Sequence, residues 1–163
     1  MPNSTAKRFA MVAGLLTAPI TARMDKPHPP KQALADDRCL KLKHFFQRKK
    51  SPLASEADEF VAAADRNRLD WRLLPGIAFV ESGGGKDYRN NNVFGWDNCH
   101  KAFTSVRAGI HAVAARLANS PLYRHKNTDQ ILGTYNPRPE YSEKVKAVMR
   151  MIAAAPVSET AAD

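Results

Sequence analysis

Between Asp36 and about Ala155, apolar residues recur at intervals of three and four, in short runs broken by capping residues, prolines and glycines. Nowhere do they alternate as a half-buried strand would. A chain written this way buries its apolar atoms by packing short helices on one another. The expected fold is therefore a single all-α domain over residues 37–155.

Six segments carry the pattern. "DDRCLKLKHFFQRK" offers Asp36 or Asp37 as cap and sets Leu42, Phe45 and Phe46 on one side. Ser51 followed by Pro52 marks the second start, with Leu53, Ala57, Phe60, Val61 and Ala64 as its stripe. The third, "DWRLLPGIAFVES", takes Asp70 as cap and carries Trp71, Leu74, Ile77 and Ala78. Its Pro75 requires either a regular helix beginning near Leu74 or a kink. After a loop over 83–103, the fourth helix shows Val106, Ile110, Val113, Ala114 and Leu117 on one face. "TDQILGTY" is a short fifth helix capped by Thr128. The sixth opens at Pro139 with Tyr141, Val145, Val148, Met149 and Ile152 as its stripe.

The N-terminus reads as an address. Lys7 and Arg8 precede an apolar run of 12 residues that ends near the small residue Ala22. That order matches a secretory signal peptide over 1–22, and the run is short of the ~20 residues a spanning helix needs. Residues 23–36 read as a polar linker and 156–163 as a polar tail. The expectation is a periplasmic or secreted, wall-associated protein with no stable membrane insertion after cleavage.

Lys and Arg number 25 against 16 Asp and Glu, a net charge of +9 that calls for an acidic partner. Nucleic acid, an anionic membrane surface and an anionic wall polymer all qualify. A nucleic-acid reading would use "KLKHFFQRKK" as its contact surface, and an export signal argues against it. Cys39 and Cys99 either pair, as an oxidising compartment permits, or stand as separate thiols. Neither "CHKAF" nor His111 has metal-ligand spacing, and "GGGK" lacks the spacing of a phosphate-cradling loop. No metal and no cofactor is expected, and a monomer is.

One residue interrupts the third stripe. Leu74, Ile77, Ala78 and Glu81 stand at i, i+3, i+4 and i+7, so Glu81 shares the core-facing side or its edge. Lost hydration and the negative end of the helix macrodipole both favour its protonated form. Ser82 and Gly83–Gly85 then stop the helix, and the glycines leave space beside the carboxyl for a ligand. A protonated acid at a cleft wall can give its proton to a leaving-group oxygen, as in glycoside cleavage.

The ordered set "LLPGIAFVES", "NNVFGW" and "TYNPRPEY" resembles the lysozyme-like superfamily of bacterial peptidoglycan-cleaving enzymes, from soluble lytic transglycosylases to glucosaminidases. The resemblance runs from about residue 51 to 152. It implies a lysozyme-like helical domain, Glu81 as the catalytic acid, and a peptidoglycan glycan strand as partner. It also implies that Asn91, Asn92, Phe94 and Gly95 line the cleft and that Tyr135 steadies the oxocarbenium-like centre. Beside these, Asn92, Phe94, Trp96, Asn136 and Ser82 are candidate substrate contacts, against roles as a turn residue for Asn92, in the core for Phe94 and Trp96, and as a helix cap for Ser82. The chain departs from the transglycosylases by carrying "NNVFGW" in place of a "GLMQ"-like segment. It departs from the glucosaminidases by showing no β-hairpin with a second carboxylate.

Hydrolysis needs that second carboxylate, and Asp87, Asp97 and Glu140 are the candidates. Without one, attack by the sugar's own 6-hydroxyl gives an anhydro-sugar, with Glu81 as acid and then as base. The sequence reading prefers this lytic transglycosylase chemistry. Hydrolysis by a glucosaminidase or muramidase is the alternative, and a non-catalytic wall-binding module is the alternative of another class.

Overall fold

The computed structural model describes residues 36–157. The signal-peptide reading of 1–22, the linker apart from Asp36, and the tail beyond Val157 lie outside the described residues. Among those described there are six α-helices and no strand; residues Arg89 and Asn92 form one isolated bridge. The helices are α1 (Asp37–Arg48), α2 (Ala57–Asn67), α3 (Leu73–Ser82), α4 (Val106–Asn119), α5 (Thr128–Tyr135) and α6 (Pro139–Ala153). None of them is long and apolar enough to cross a membrane.

Local chemistry explains the boundaries. Asp36 caps α1 by accepting from the Arg38 backbone N–H at 2.9 Å. Ser51 caps a 3-10 turn, Pro52–Glu56, and the regular helix α2 begins only at Ala57. Asp70 does not cap α3 directly. Its carboxylate folds onto Arg72, accepting from that residue's backbone N–H and Nε at 2.9 Å, and the helix starts at Leu73. Pro75 thus falls in the first turn, where no backbone donor is needed. The cap of α5 is Asn127 rather than Thr128. Asn127 and Gln130 exchange side chain-to-backbone bonds of 2.9 Å, a reciprocal box that satisfies two otherwise orphaned donors.

The helix α3 is the centre of the molecule. Leu73, Leu74, Pro75, Gly76, Ile77 and Ala78 are all buried, as expected for a helix that is apolar on every side. A Cβ added to Gly76 would stand 3.1 Å from Met149 Cγ and 3.2 Å from Val145 Cγ1. Glycine there lets α3 and α6 approach closely. Around this axis Phe45, Phe46, Phe60 and Phe94 form a chain of ring contacts with centroids 5.5 to 6.3 Å apart. Burying each such ring contributes about 1.5–3 kcal/mol.

Two further links tie the helices. Glu59 on α2 accepts from His111 Nε2 of α4 at 2.8 Å and from the Arg107 guanidinium. At the C-terminal end, His44 Nδ1 lies 2.9 Å from the Pro156 carbonyl. The two cysteines stand as separate thiols. Cys39 packs against the core, where burial, with Asp58 beside it, pushes its thiol up to about 12.

Candidate functional site

The site forms where α3 ends. Gly83 takes the left-handed cap conformation, φ +62°. Ser82 is buried, and its hydroxyl donates to the Ala78 carbonyl at 2.8 Å while accepting from the Gly85 N–H at 2.9 Å. Ser82 therefore locks the helix end and does not face a ligand, contrary to the sequence expectation.

The triple glycine also has a different purpose from the one expected. A Cβ on Gly84 would meet Ser51 Oγ and Phe79 at 3.0 Å, and one on Gly85 would meet Leu53 Cγ at 2.9 Å. Both residues are buried where the loop docks on the 3-10 turn, and the Gly84 carbonyl accepts from Ser51 Oγ at 2.5 Å. Gly84 and Gly85 allow that docking, and Gly83 forms the exposed left-handed cap.

Residues 92–96 close against Glu81 instead. Asn92 is buried, and its amide donates to the Trp96 carbonyl at 2.8 Å and the Lys101 carbonyl at 3.0 Å. Its Oδ1 accepts from the Trp96 N–H at 3.0 Å. With these bonds made, Asn92 shapes the loop and does not present its amide to substrate. Phe94 is fully buried, edge-on to Phe60, and is a core residue rather than a sugar platform. The bend brings Gly95, at φ +63°, so close to Glu81 that an added Cβ would lie 2.7 Å from Oε2.

Two tyrosines complete the setting. Tyr135, the last residue of α5, donates its hydroxyl proton to the Phe94 carbonyl at 2.5 Å. Its ring stacks on Tyr141, centroids 5.9 Å apart and planes within 7°. The Tyr141 hydroxyl lies beside the Glu81 carboxyl, near enough to affect its ionisation. It nevertheless falls outside hydrogen-bond geometry with every partner, and it is one of two buried side-chain polar atoms among the described residues left so. Burial drives the pKa of both tyrosines far up, and the Glu81 charge adds to this, so both hydroxyls stay neutral.

Glu81 itself is raised above the ordinary carboxylate range, chiefly because protein atoms crowd it, while Tyr141 pulls in the opposite direction. The residue as a whole is nevertheless exposed, not turned into the core as its place in the stripe implied. The combination is a partly desolvated acid with an open flank.

Two clefts are walled by residues that touch or adjoin Glu81: Gly95 lines one, and Tyr141 and Val80 the other. One, of about 720 Å³, is lined by Gly95, Trp96, Asp97, Lys101, Arg116 and Tyr135, among others. Trp96 presents its ring there, with Tyr135 edge-on at 5.5 Å and the Arg116 guanidinium 5.9 Å over its ring. The other, of about 190 Å³, is lined by Val80, Asn136, Arg138, Glu140, Tyr141 and Lys144. Asn136 belongs to this second pocket, its Oδ1 accepting from the Arg138 N–H at 3.1 Å. Of the three further carboxylates considered, Asp97 lines the larger cleft, Glu140 the smaller, and Asp87 is an exposed loop residue.

Sequence reasoning treated Tyr141 as one more core position and did not single out Arg116. The signal for Tyr141 was its place in "TYNPRPEY". No family model matches the chain, nor does any curated protein or solved structure. Chemically, the arrangement offers a carboxyl of raised pKa beside a neutral tyrosine pair, and one further carboxylate in the larger groove.

Proposed function

We propose that the chain is an exported enzyme that cleaves β-1,4 bonds between N-acetylmuramic acid and N-acetylglucosamine in peptidoglycan. The observation that carries the reading is the setting of Glu81. Its carboxyl is partly desolvated, lies against the Gly95 backbone and is faced by the buried Tyr141 hydroxyl, and Gly95 and Tyr141 each line one of two clefts. The resemblance of "LLPGIAFVES", "NNVFGW" and "TYNPRPEY" to the lysozyme-like superfamily supports it, and the basic balance suits an anionic wall.

In this reading Glu81 protonates the glycosidic oxygen as the C1–O bond breaks, and the alcohol leaves. Positive charge develops at C1 and the ring oxygen. The Tyr135 oxygen, its proton engaged by the Phe94 carbonyl, turns its lone-pair side to that charge. The Glu81 carboxylate then takes the proton of the muramyl 6-hydroxyl, whose oxygen bonds to C1. An anhydro-muramic end forms and the acid is regenerated. Trp96 offers an apolar face to a sugar in the larger cleft. The chain works here without cofactor or metal.

Asp97 favours a second reading. Its position in the larger cleft gives a carboxylate that can activate water, and the product is then a reducing end, as from a glucosaminidase or muramidase. Mass spectrometry of muropeptides released from purified sacculi separates the two. Anhydro-muramic ends support the transglycosylase and reducing ends the hydrolase. Glu81→Gln should lower release by about two to four orders of magnitude while binding persists. If the wild type binds sacculi and releases nothing, the chain is a wall-binding module and the enzymatic reading is wrong.

A further inference from the structure

The smaller cleft has a charge pattern that cleavage alone does not need. Arg138 and Lys144 line it with Asn136, against one acidic residue, Glu140. Among the described residues, neither the Arg138 guanidinium nor the Lys144 ammonium takes part in an ion pair or a side-chain hydrogen bond. This contrasts with Lys146, two residues further along α6, which pairs with Glu143 at 2.8 Å and Asp129 at 3.3 Å. The Asn136 Oδ1 is engaged by the Arg138 N–H at 3.1 Å, which leaves its amide N–H groups as the free donors. Glu140 sits in the first turn of α6, where the positive helix end offsets its charge. Three donors, two of them cationic, thus converge on a small pocket.

The pocket adjoins the acid directly. Val80 precedes Glu81 on α3, and Tyr141 walls the pocket while facing the Glu81 carboxyl.

We infer that the Asn136–Arg138–Lys144 pocket is a carboxylate-recognition subsite that selects the acid-bearing sugar on one side of the scissile bond. The inference rests on the glycan-cleaving reading of Glu81 and specifies which substituent the site reads. An Arg guanidinium beside an ammonium and an amide matches a carboxylate by charge-assisted hydrogen bonds. In a muramic residue that carboxylate belongs either to the 3-O-lactyl group or to the peptide attached to it.

The test is a binding titration of the isotopically labelled full chain, read by NMR at the side chains of Asn136, Arg138 and Lys144. The probes are N-acetylmuramic acid, its methyl ester, muramyl dipeptide and N-acetylglucosamine. Shifts with the free acid but not the ester assign the lactyl carboxylate. Shifts with muramyl dipeptide but not the free acid assign the peptide carboxylate. Equal responses to acid, ester and N-acetylglucosamine, or none to any probe, overturn the subsite. As a second measurement, Arg138→Gln with Lys144→Gln should reduce the kcat/KM ratio of muramic-containing glycan over neutral chitin oligosaccharide about tenfold or more. An unchanged ratio overturns it. Acid-selective shifts in a chain that releases no muropeptide would sink the enzymatic reading and leave the subsite standing. Cleavage with no acid selectivity would do the reverse.

Discussion

Gly95 and Glu81 meet with less room than one carbon atom requires: a Cβ on Gly95 would stand 2.7 Å from Glu81 Oε2. The backbone at Gly95 is left-handed as well, at φ +63°, which disfavours a side chain there, and any Cβ would make the Glu81 carboxyl give way. Gly95→Ala should keep the helical fold, lose about 1 kcal/mol to the backbone conformation, and push the carboxyl out of place. Release of muropeptides should fall about a hundredfold, since a displacement near 1 Å suffices for that loss. Circular dichroism melts and the release assay check both parts. Full activity in the variant would show that the carboxyl does not work from this position.

Tyr141 pulls the Glu81 pKa down while crowding pushes it up. Tyr141→Phe removes only the downward pull, so Glu81 should titrate at higher pH than in the wild type. The alkaline limb of the pH–rate profile should move the same way, because the first step needs the protonated acid. A contact that lowers the folded pKa favours the ionised fold, so the variant should lose stability above that pKa and little below it. Carboxyl-carbon NMR titration of Glu81 gives the direction, and a downward shift would contradict the assigned contact.

A carboxyl raised in the folded state binds its proton more tightly there than in the unfolded chain. Its favourable contribution is full below the unfolded pKa and is lost as pH rises through the folded one. Glu81→Gln removes this dependence. The variant should therefore melt higher than the wild type at pH 7, with the gap closing toward pH 4. Thermal melts across that range test it; a wild type that gains on the variant as pH rises would reverse the sign.

Glu59 behaves in the opposite sense. Its hydrogen bond from His111, reinforced by Arg107, holds its pKa low. That contribution is present above the unfolded pKa and lost as pH falls through the folded one. His111→Ala should lower the melting temperature at pH 6 more than at pH 3, because the contribution it removes fades as pH falls. An equal loss at both pH values would mean that His111 acts by packing alone.

The helices could be read in the sequence because each carries its own record: Leu42, Phe45 and Phe46, or Val145, Val148, Met149 and Ile152, recur with the helical period and are buried. Glu81 stood out as the charge that breaks such a record. The loop over 83–103 has no period, so its residues could be typed but not aimed. Asn92 and Phe94 were therefore expected in the cleft and lie in the interior. Gly84 and Gly85 were assigned to the ligand and serve Ser51 and Leu53. Tyr141 was hidden for the converse reason. Its stripe position is a core position, and only the fold brings its hydroxyl to Glu81.

Asn92 gives the sharpest test of how the loop is built. Its side chain serves the Trp96 carbonyl, the Lys101 carbonyl and the Trp96 N–H. Asn92→Ala leaves these three part-buried groups without their partner and should cost about 1–3 kcal/mol, with Trp96 fluorescence reporting the released loop. Asn92→Asp keeps an acceptor for the Trp96 N–H but turns an oxygen toward two carbonyls. Ionised, that carboxyl repels both; protonated, it donates to one. Its folded pKa is therefore raised, and the variant should regain stability on the alanine variant as pH falls from 7 to 4. Denaturant melts of the two variants at several pH values check the crossing. Parallel curves would mean that the Asn92 amide does not hold the two carbonyls, and that some other contact sets the path of residues 92–96.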